Sequence, residues 1–124
     1  MGMKVAISAN GNDLDALVDP RFGRCPFFIL IDPENMEYEV IKNEASQSMG
    51  GAGIKAAQTV IKSGARAVIT GNMGPNAFAV LKAEGVKIYA GVSGKIKDVI
   101  QQFKEGKLKE SESASVERHF GMRK

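Results

Sequence analysis

Segments with helical periodicity alternate with short apolar segments from residue 53 onward, and this alternation limits the folds that the chain can adopt. From Gly53 to Ser63, apolar residues recur at spacings that place them on one face of a helix, and Gly64 is a typical stop signal. The same reasoning predicts a strand, a helix, a strand and a helix at Ala65 to Thr70, Pro75 to Glu84, Val86 to Ala90 and Gly94 to Phe103. Strands that alternate with helices over short loops imply parallel pairing through right-handed crossovers.

Three further strands are predicted in residues 1–42. Lys4 to Ala9 and Phe27 to Asp32 are short apolar runs typical of buried strands, and Tyr38 to Lys42 follows a short turn that begins at Pro33. Such a short turn predicts an antiparallel hairpin. Together the patterns predict a three-layer α/β fold in which helices flank a five-stranded mixed sheet with one antiparallel strand. This is the arrangement of a ribonuclease H-like motif, although the patterns leave the order of the strands open.

The length and composition indicate one globular domain followed by a polar segment. The 124 residues suit a single domain, and we assign residues 1–105 to it. Residues 106–124 are rich in Lys, Glu and Ser and contain few large apolar groups, which predicts a flexible tail.

The residue inventory argues against several classes of protein. No run approaches the ~20 apolar residues that a membrane helix needs, and the first residues lack the apolar core of a secretory signal. The single cysteine excludes a disulfide within the chain and is typical of the reducing cytoplasm. The net charge of +3 arises from interleaved acids and bases, which does not indicate nucleic-acid binding. We therefore expect a cytoplasmic protein that binds neither membranes nor nucleic acids.

Three loops rich in glycine and asparagine follow predicted strands, at the edge where open α/β sheets bind ligands. They begin at Asn10, Gly71 and Gly91, and the second loop continues through Asn72 to Gly74. Glycine lets a backbone approach a ligand closely, and the helices that follow present unpaired N–H groups to an anion. The loops are candidate anion contacts, but short turns between elements are often glycine-rich without any ligand.

A further glycine-rich stretch, from Ser48 to Gly53, precedes the first helix. It matches neither the phosphate loop of nucleotide-binding proteins nor the dinucleotide fingerprint. We interpret it as a flexible loop, with a mobile lid that contacts an anion as the alternative.

The segment DPRFGRCPFF, from Asp19 to Phe28, contains the single cysteine of the chain. Cys25 is either a small buried hydrophobic residue or a metal ligand, because Arg21 and Arg24 lie near it in sequence and favour a thiolate. His119, the single histidine, is either solvated in the tail or a nitrogen ligand if the tail folds back. The segment also has an interpretation without a ligand, in which it turns the chain and fills the core.

Catalytic patterns of known type are not found in the sequence. A ribonuclease H-like nuclease needs several carboxylates around divalent cations, but the first and fourth predicted strands contain none, and Asp13, Asp15 and Asp32 do not form that constellation. The single histidine lies in the tail and no nucleophile elbow follows a strand, so a hydrolase triad is not indicated. We expect that the protein is not an enzyme.

With these residues in view, the chain resembles the dinitrogenase iron-molybdenum cofactor biosynthesis family from about Lys4 to Phe103. The resemblance rests on the strand KVAIS, on VDPRFGRCPFFILID, on GGAGIKAAQTVIKSGARAVITGNMGPNAFAVLKAEGVKIYAG and on VSGKIKDVIQQF. The residues that match the two motifs of the family are Asp19, Arg21, Phe22, Gly23, Gly71 and Gly74. Cofactor-binding members often have a histidine before Phe-Gly, whereas this chain has Arg21.

The resemblance implies a small non-catalytic carrier of an iron–sulfur-type metallocluster or an iron–molybdenum cofactor precursor, which it exchanges with donor and acceptor proteins. Under this hypothesis the cofactor-binding residues are Asn10, Arg21, Phe22, Gly23, Arg24, Gly71, Asn72 and Gly74, and the candidate metal ligands are Cys25 and His119. A four-iron cluster normally takes four thiolates, so a chain with one would hold it through few ligands, through a second chain, or by charge and hydrogen bonds. The alternative is a metal-free module that binds a small anion or a partner protein through the same loops.

Overall fold

The structure is a computed structural model, and it describes residues 3–114. Its strands are β1 (Val5–Ala9), β2 (Phe27–Ile31), β3 (Tyr38–Lys42), β4 (Ala67–Ile69) and β5 (Lys87–Tyr89). Its helices are α1 (Ala52–Lys62), α2 (Pro75–Ala83) and α3 (Ile96–Lys104). A short 3₁₀ turn, Glu44–Gln47, lies between β3 and α1 and was not predicted from the sequence.

The five strands form one mixed sheet in the order β3-β2-β1-β4-β5. Strand β2 is antiparallel to both β1 and β3, whereas β1, β4 and β5 pair in parallel. The predicted hairpin, the five-stranded mixed sheet and its single antiparallel strand are therefore confirmed. The strand order, which the sequence patterns left open, places β1 at the centre, and all five of its residues are buried.

The core consists of two apolar layers, one on each face of the sheet. Because side chains alternate along a strand, Ala6 of β1 faces a cluster that includes residues of α1 and α2, while Val5 and Ile7 face a cluster that includes Ile96 and Ile100 of α3. Helices thus cover both faces, as the three-layer prediction requires. A strand buried on both faces reads as a continuous apolar run, which explains why the KVAISA segment shows no alternation.

The chain beyond α3 contacts the edge of the sheet. Leu108 packs against the α3-side core. Further along, Ser111 N–H donates to the carbonyl of Ile88 at 2.7 Å, and Ala90 N–H donates to the Ser111 hydroxyl at 3.0 Å. The segment therefore lies against β5, the outermost strand on this side, so the described chain keeps contact with the domain past the predicted boundary at residue 105. His119 lies outside the described residues.

Candidate functional site

A cleft of about 560 Å³ opens where three loops meet near the carboxyl ends of β1 and β4. Its walls are formed by residues 20–24 after β1, residues 51–54 at the start of α1, and residues 72–77 between β4 and α2. Open α/β sheets bind ligands in such a crevice. A cleft of this size lies within the range of small-molecule and cofactor sites.

The first and third loops are joined by backbone contacts. Phe22 N–H donates to the carbonyl of Asn72 at 3.2 Å, and Arg21 forms a parallel bridge with Asn72. Gly71 permits this approach, because a Cβ added there would lie 2.6 Å from the Cα of Pro20. The predicted site residues Arg21, Asn72 and Gly71 are therefore brought together, and Gly71 serves the packing of the backbone rather than a turn with positive φ.

The first loop also packs closely against the start of α1. A Cβ on Gly23 would lie 2.9 Å from the backbone nitrogen of Gly53 and 3.0 Å from its Cα. Phe22, which is buried, packs its ring against that of Phe28 at a centroid distance of 5.3 Å. Phe22 thus anchors the loop in the core, as the interpretation without a ligand proposed, while Gly23 permits contact with α1.

Two helix N-termini border the cleft. Helix α1 begins after Gly51, which has a φ of 70°, and α2 begins after Gly74 with Pro75 as its first residue. Neither N-cap residue makes a side-chain capping bond. The first-turn N–H groups of a helix have no partners within the helix, and the helix dipole makes this end electropositive. Both ends therefore favour an anion in the cleft.

Arg21 is oriented by Asp19, which is buried. The Asp19 carboxylate accepts hydrogen bonds from the Arg21 backbone N–H at 2.8 Å, from Nε at 3.2 Å and from NH2 at 3.2 Å. The Arg21 side chain remains 62% exposed. Because Asp19 occupies the Nε–NH2 edge of the guanidinium, the NH1–NH2 end remains to donate to an anion.

Asp19 is itself held at the end of β1. Its N–H donates to the carbonyl of Ser8 at 2.8 Å, and its carbonyl accepts from the Ser8 hydroxyl at 2.8 Å. Since that hydroxyl has one proton and gives it to Asp19, the hydrogen bond of 2.7 Å between Ser8 and Thr70 must be donated by Thr70. These buried hydroxyls join the ends of β1 and β4 beneath the Asp19–Arg21 pair.

Arg24 lines the cleft on the side of the loop before α1. Its NH1 group donates to two backbone carbonyls, that of Ser46 at 3.2 Å and that of Ser48 at 2.6 Å. One of the two arginines predicted to bind an anion therefore also holds a neighbouring loop in place.

Cys25 lies in the interior, within the core cluster on the α1 and α2 face of the sheet. Its side chain is fully buried, and Sγ donates to the carbonyl of Phe22 at 3.4 Å. Burial raises the pKa of the Cys25 thiol to about 12, and the nearby Asp19 carboxylate adds to the rise. The thiol of the metal-free protein therefore stays protonated at neutral pH, and Cys25 is not among the residues that line the cleft. This placement contradicts the sequence-based picture of a thiolate facing the cleft and fits the alternative of a small buried hydrophobic residue.

Asn43 is a buried polar residue with a structural role that was not predicted from the sequence. Its side chain donates to the carbonyls of Gly23 and Cys25 at 3.2 and 2.8 Å and accepts from Ala45 N–H at 3.2 Å. It thus fixes the loop after β1 to the 3₁₀ turn. A single asparagine between a strand and a helix carries no sequence signal for such a role.

Two predicted cofactor-binding residues, Asn10 and Gly71, are not among the residues that line the cleft, and Asn10 belongs to a different loop. The Asn10 side chain accepts from Leu17 N–H at 3.0 Å and closes the loop after β1 on itself. The carbonyls of Leu14 and Ala16 in this loop accept from the first turn of α3, on the opposite face of the sheet. The loop that begins at Gly91 also lies outside the walls of the cleft.

The walls also contain groups that were not among the predicted site residues, namely Gly51 and Gly53. The sequence placed them in a stretch interpreted as a flexible loop, with an anion-contacting lid as the alternative. The Gly-Gly-Ala-Gly pattern at the start of α1 was the signal that could have identified these residues. The pattern does not reveal that α2 begins at the same cleft.

The residues present fit an anionic guest by charge and by size, but not one that needs several protein ligands. Among residues 3–114, no group of three or more His, Cys, Asp or Glu side chains is placed to hold a metal ion. Much of the cleft wall is apolar, and its charged groups are the guanidinium groups of Arg21 and Arg24, which can bind an anion through charge-assisted hydrogen bonds. Within the same range, none of the helices has the length and apolar character needed to cross a bilayer.

The sequence pattern of the family described as dinitrogenase iron-molybdenum cofactor matches residues 3–106. The chain belongs to this family. The match covers the whole cleft and ends just after α3, so the segment along β5 lies largely beyond it.

Three relatives are similar over most of their length. The apo form of the orange protein from Desulfovibrio gigas superposes with a TM-score of 0.89 at 37% identity, over 93% of this chain and 98% of that protein. The Thermotoga protein TM1290 superposes with a TM-score of 0.75 at 39% identity, over 89% and 93%. The uncharacterised protein MJ0580 of Methanocaldococcus jannaschii is 36% identical over 113 residues, covering 89% of this chain and 92% of MJ0580. The family resemblance inferred from the sequence is thereby confirmed.

Proposed function

We propose that this protein is a non-catalytic carrier that binds an anionic metallocluster, of the iron–sulfur type or a precursor of the iron–molybdenum cofactor, in the cleft. The observation that carries the proposal is the convergence of two helix N-termini and two arginines on one cavity of about 560 Å³. Membership of a family described by this cofactor supports the class of ligand. The apo form of the orange protein supports it further, since that term describes a protein without a group that it binds.

The cargo is held by charge and hydrogen bonds rather than by thiolates. Arg21 donates from the free end of its guanidinium. The first turns of α1 and α2 line the same cavity and add backbone N–H donors, from Ala52 and Gly53 in α1 and from Asn76 and Ala77 in α2, since Pro75 has no N–H. Gly23 and Asn72 line the walls, and Gly71 permits the close contact between two of the loops that form them. Cys25 is not among the ligands because its thiol is buried and protonated. Weak, non-covalent retention suits a carrier, which must release its cargo to an acceptor protein.

The partners that we propose are a protein that donates the cluster and a protein that accepts it. The compartment that we propose is the cytoplasm. A chain with a single unpaired cysteine is typical of the reducing cytoplasm.

Anaerobic reconstitution with iron and sulfide tests this proposal. Purified protein should take up iron and sulfide and gain visible absorption. Arg21→Gln should lower the uptake several-fold, whereas Lys42→Gln, which removes the same charge from the exposed face of β3, should not. Cys25→Ala should retain the colour. Wild-type protein that stays colourless and iron-free, or equal uptake by the two charge variants, would overturn the proposal.

A metal-free module that binds a small anion is the second candidate, and the fully buried thiol favours it. Thermal unfolding in phosphate, in nucleotides and in iron, each without oxygen, separates the two candidates, because a ligand that binds the folded state raises the melting temperature by mass action. Stabilisation by phosphate or a nucleotide, without uptake of iron and sulfide, would favour the second candidate.

A further inference from the structure

The segment of residues 46–51, called the loop below, runs from the last two residues of the 3₁₀ turn to the start of α1 and reaches the cleft at its end. It ends at Gly51, which belongs to the cleft wall and precedes the first turn of α1. Met49 projects from its middle and is 100% exposed. Gly50 has open space around its Cα, and Gly51 has a positive φ, so the end of the loop has the backbone freedom of two successive glycines.

The front of this loop is held by two backbone bonds, from Ser46 N–H to the carbonyl of Asn43 at 3.1 Å and from Ser48 N–H to the carbonyl of Ala45 at 2.9 Å, and by the side chain of Arg24. Its NH1 group donates to the carbonyls of Ser46 and Ser48, at 3.2 and 2.6 Å. Lys55 Nζ adds a bond of 2.9 Å to the Ser48 hydroxyl, which itself donates to the carbonyl of Gly50 at 3.0 Å. Arg24 and Lys55 are both charged donors, whose hydrogen bonds are stronger than neutral ones. Of the two, Arg24 makes two bonds to the backbone of the loop and also lines the cleft.

The Arg24 guanidinium has donors for two partners at once. A guanidinium carries five N–H donors. The two carbonyls occupy NH1, which leaves Nε and NH2 on a side chain that lines the cleft. An anion in the cleft can therefore be bound by the same planar group that holds the loop, without displacing the loop carbonyls.

We propose that Arg24 couples the occupancy of the cleft to the ordering of residues 46–51, so that bound cargo strengthens the hold of Arg24 on this loop. The coupling rests on the proposed function, because it needs an anion in the cleft. The cause of the coupling is entropic. Immobilising a long side chain costs free energy. When bound cargo has already ordered Arg24, the bonds between Arg24 and the loop no longer carry that cost. By reciprocity, the ordered loop strengthens retention of the cargo. Because the loop carries Met49, a loaded protein presents a different surface from an empty one.

Hydrogen exchange followed by mass spectrometry tests the coupling on the full chain. Wild-type protein is compared before and after anaerobic reconstitution with iron and sulfide. Peptides that cover residues 46–51 should exchange roughly tenfold more slowly after loading, the effect of about one added hydrogen bond to a charged group. A peptide from β2, which lies inside the sheet, serves as the internal reference.

Two conservative variants separate the coupling from binding. Arg24→Lys retains the charge, but a single ammonium cannot span both carbonyls and an anion as the guanidinium does. Its loaded molecules should lose the slowing at residues 46–51. Arg21→Lys alters the cleft but not the attachment of the loop. The molecules of this variant that take up iron and sulfide should still show slower hydrogen exchange at residues 46–51.

Three results of the exchange experiment would overturn the coupling. Unchanged or faster exchange at residues 46–51 in loaded wild-type protein would overturn the coupling and leave the carrier function intact. Equal slowing in loaded Arg24→Lys protein would also overturn it. Wild-type protein that takes up no iron or sulfide would overturn both proposals. If Arg24→Lys does not fold, the wild-type comparison decides alone.

Discussion

The guanidinium of Arg21 is held against the cleft by the buried carboxylate of Asp19, with Nε 3.2 Å from Oδ1 and NH2 3.2 Å from Oδ2. Arg21 therefore provides a positive charge and also a guanidinium whose orientation is fixed. The carboxylate offsets part of that charge, so the cleft relies on its backbone amides and on Arg24 for the rest of its attraction for anions.

Asp19→Asn should weaken both the fold and the cleft. The amide of asparagine presents a donor where the carboxylate accepts from Arg21, so one of these part-buried hydrogen bonds is lost, at a cost of about 1 kcal/mol. Urea unfolding measures this change. Asp15→Asn is the matched control, because Asp15 is exposed and its bond to Lys97 lies on the surface. Equal shifts of the urea midpoint in the two variants would contradict the role assigned to Asp19.

Gly71→Ala should destabilise the protein by about 1–3 kcal/mol, the typical cost of overpacking. A Cβ at this position would lie 2.6 Å from the Cα of Pro20, and backbone atoms cannot yield as a flexible side chain does. Gly74→Ala is the control, because a Cβ there meets nothing within 4 Å. Thermal unfolding of both variants tests the prediction, and a Gly71→Ala protein as stable as Gly74→Ala would refute the close contact between the loops.

Cys25 should make the stability fall at high pH. The folded state holds the proton of its thiol up to a pKa of about 12, whereas an unfolded cysteine loses its proton near its ordinary pKa of about 8.5. Between these two values the unfolded state binds fewer protons, so the free energy of unfolding decreases as the pH rises. Urea midpoints from pH 8 to pH 11 measure the slope. Cys25→Ala removes this group and should flatten the slope.

The same burial should protect the thiol from alkylation. Iodoacetamide at pH 8 should label Cys25 slowly in the native protein and rapidly in urea, because the reacting species is an exposed thiolate. Equally rapid labelling in both states would show that the thiol is accessible and would revive its candidacy as a metal ligand.

A chain that ends at Glu105 should be less stable than one that ends at Ala114, by about 1–3 kcal/mol. The shorter chain lacks the apolar contact of Leu108 and the two hydrogen bonds of Ser111 with β5. It also exposes the edge of β5, and an uncovered edge promotes association between chains. Denaturant unfolding and size-exclusion chromatography test both effects. Equal stability of the two chains would support the predicted domain boundary at residue 105.

Part of the candidate site was predictable from the sequence. Arg21 and Gly23 were identified through the resemblance to the family, whereas Gly71 and Gly74 were identified because a glycine-rich loop after a strand suits an anion. Asn10 has the same local pattern but lies away from the cleft, because the loop after β1 closes on its own backbone and packs against α3. Local sequence does not determine which face of the sheet a loop turns towards.

The amino-acid sequence by itself determined the elements of this protein, since strand and helix follow from the spacing of apolar residues within each segment. It also determined the number of strands and the hairpin, because a short turn admits no other pairing. Tertiary structure alone decided the order β3-β2-β1-β4-β5, the burial of Cys25 and the meeting of α1 and α2 at one cleft. These features arise from contacts between residues far apart in the chain, and their free energy depends on which surfaces meet rather than on any local pattern.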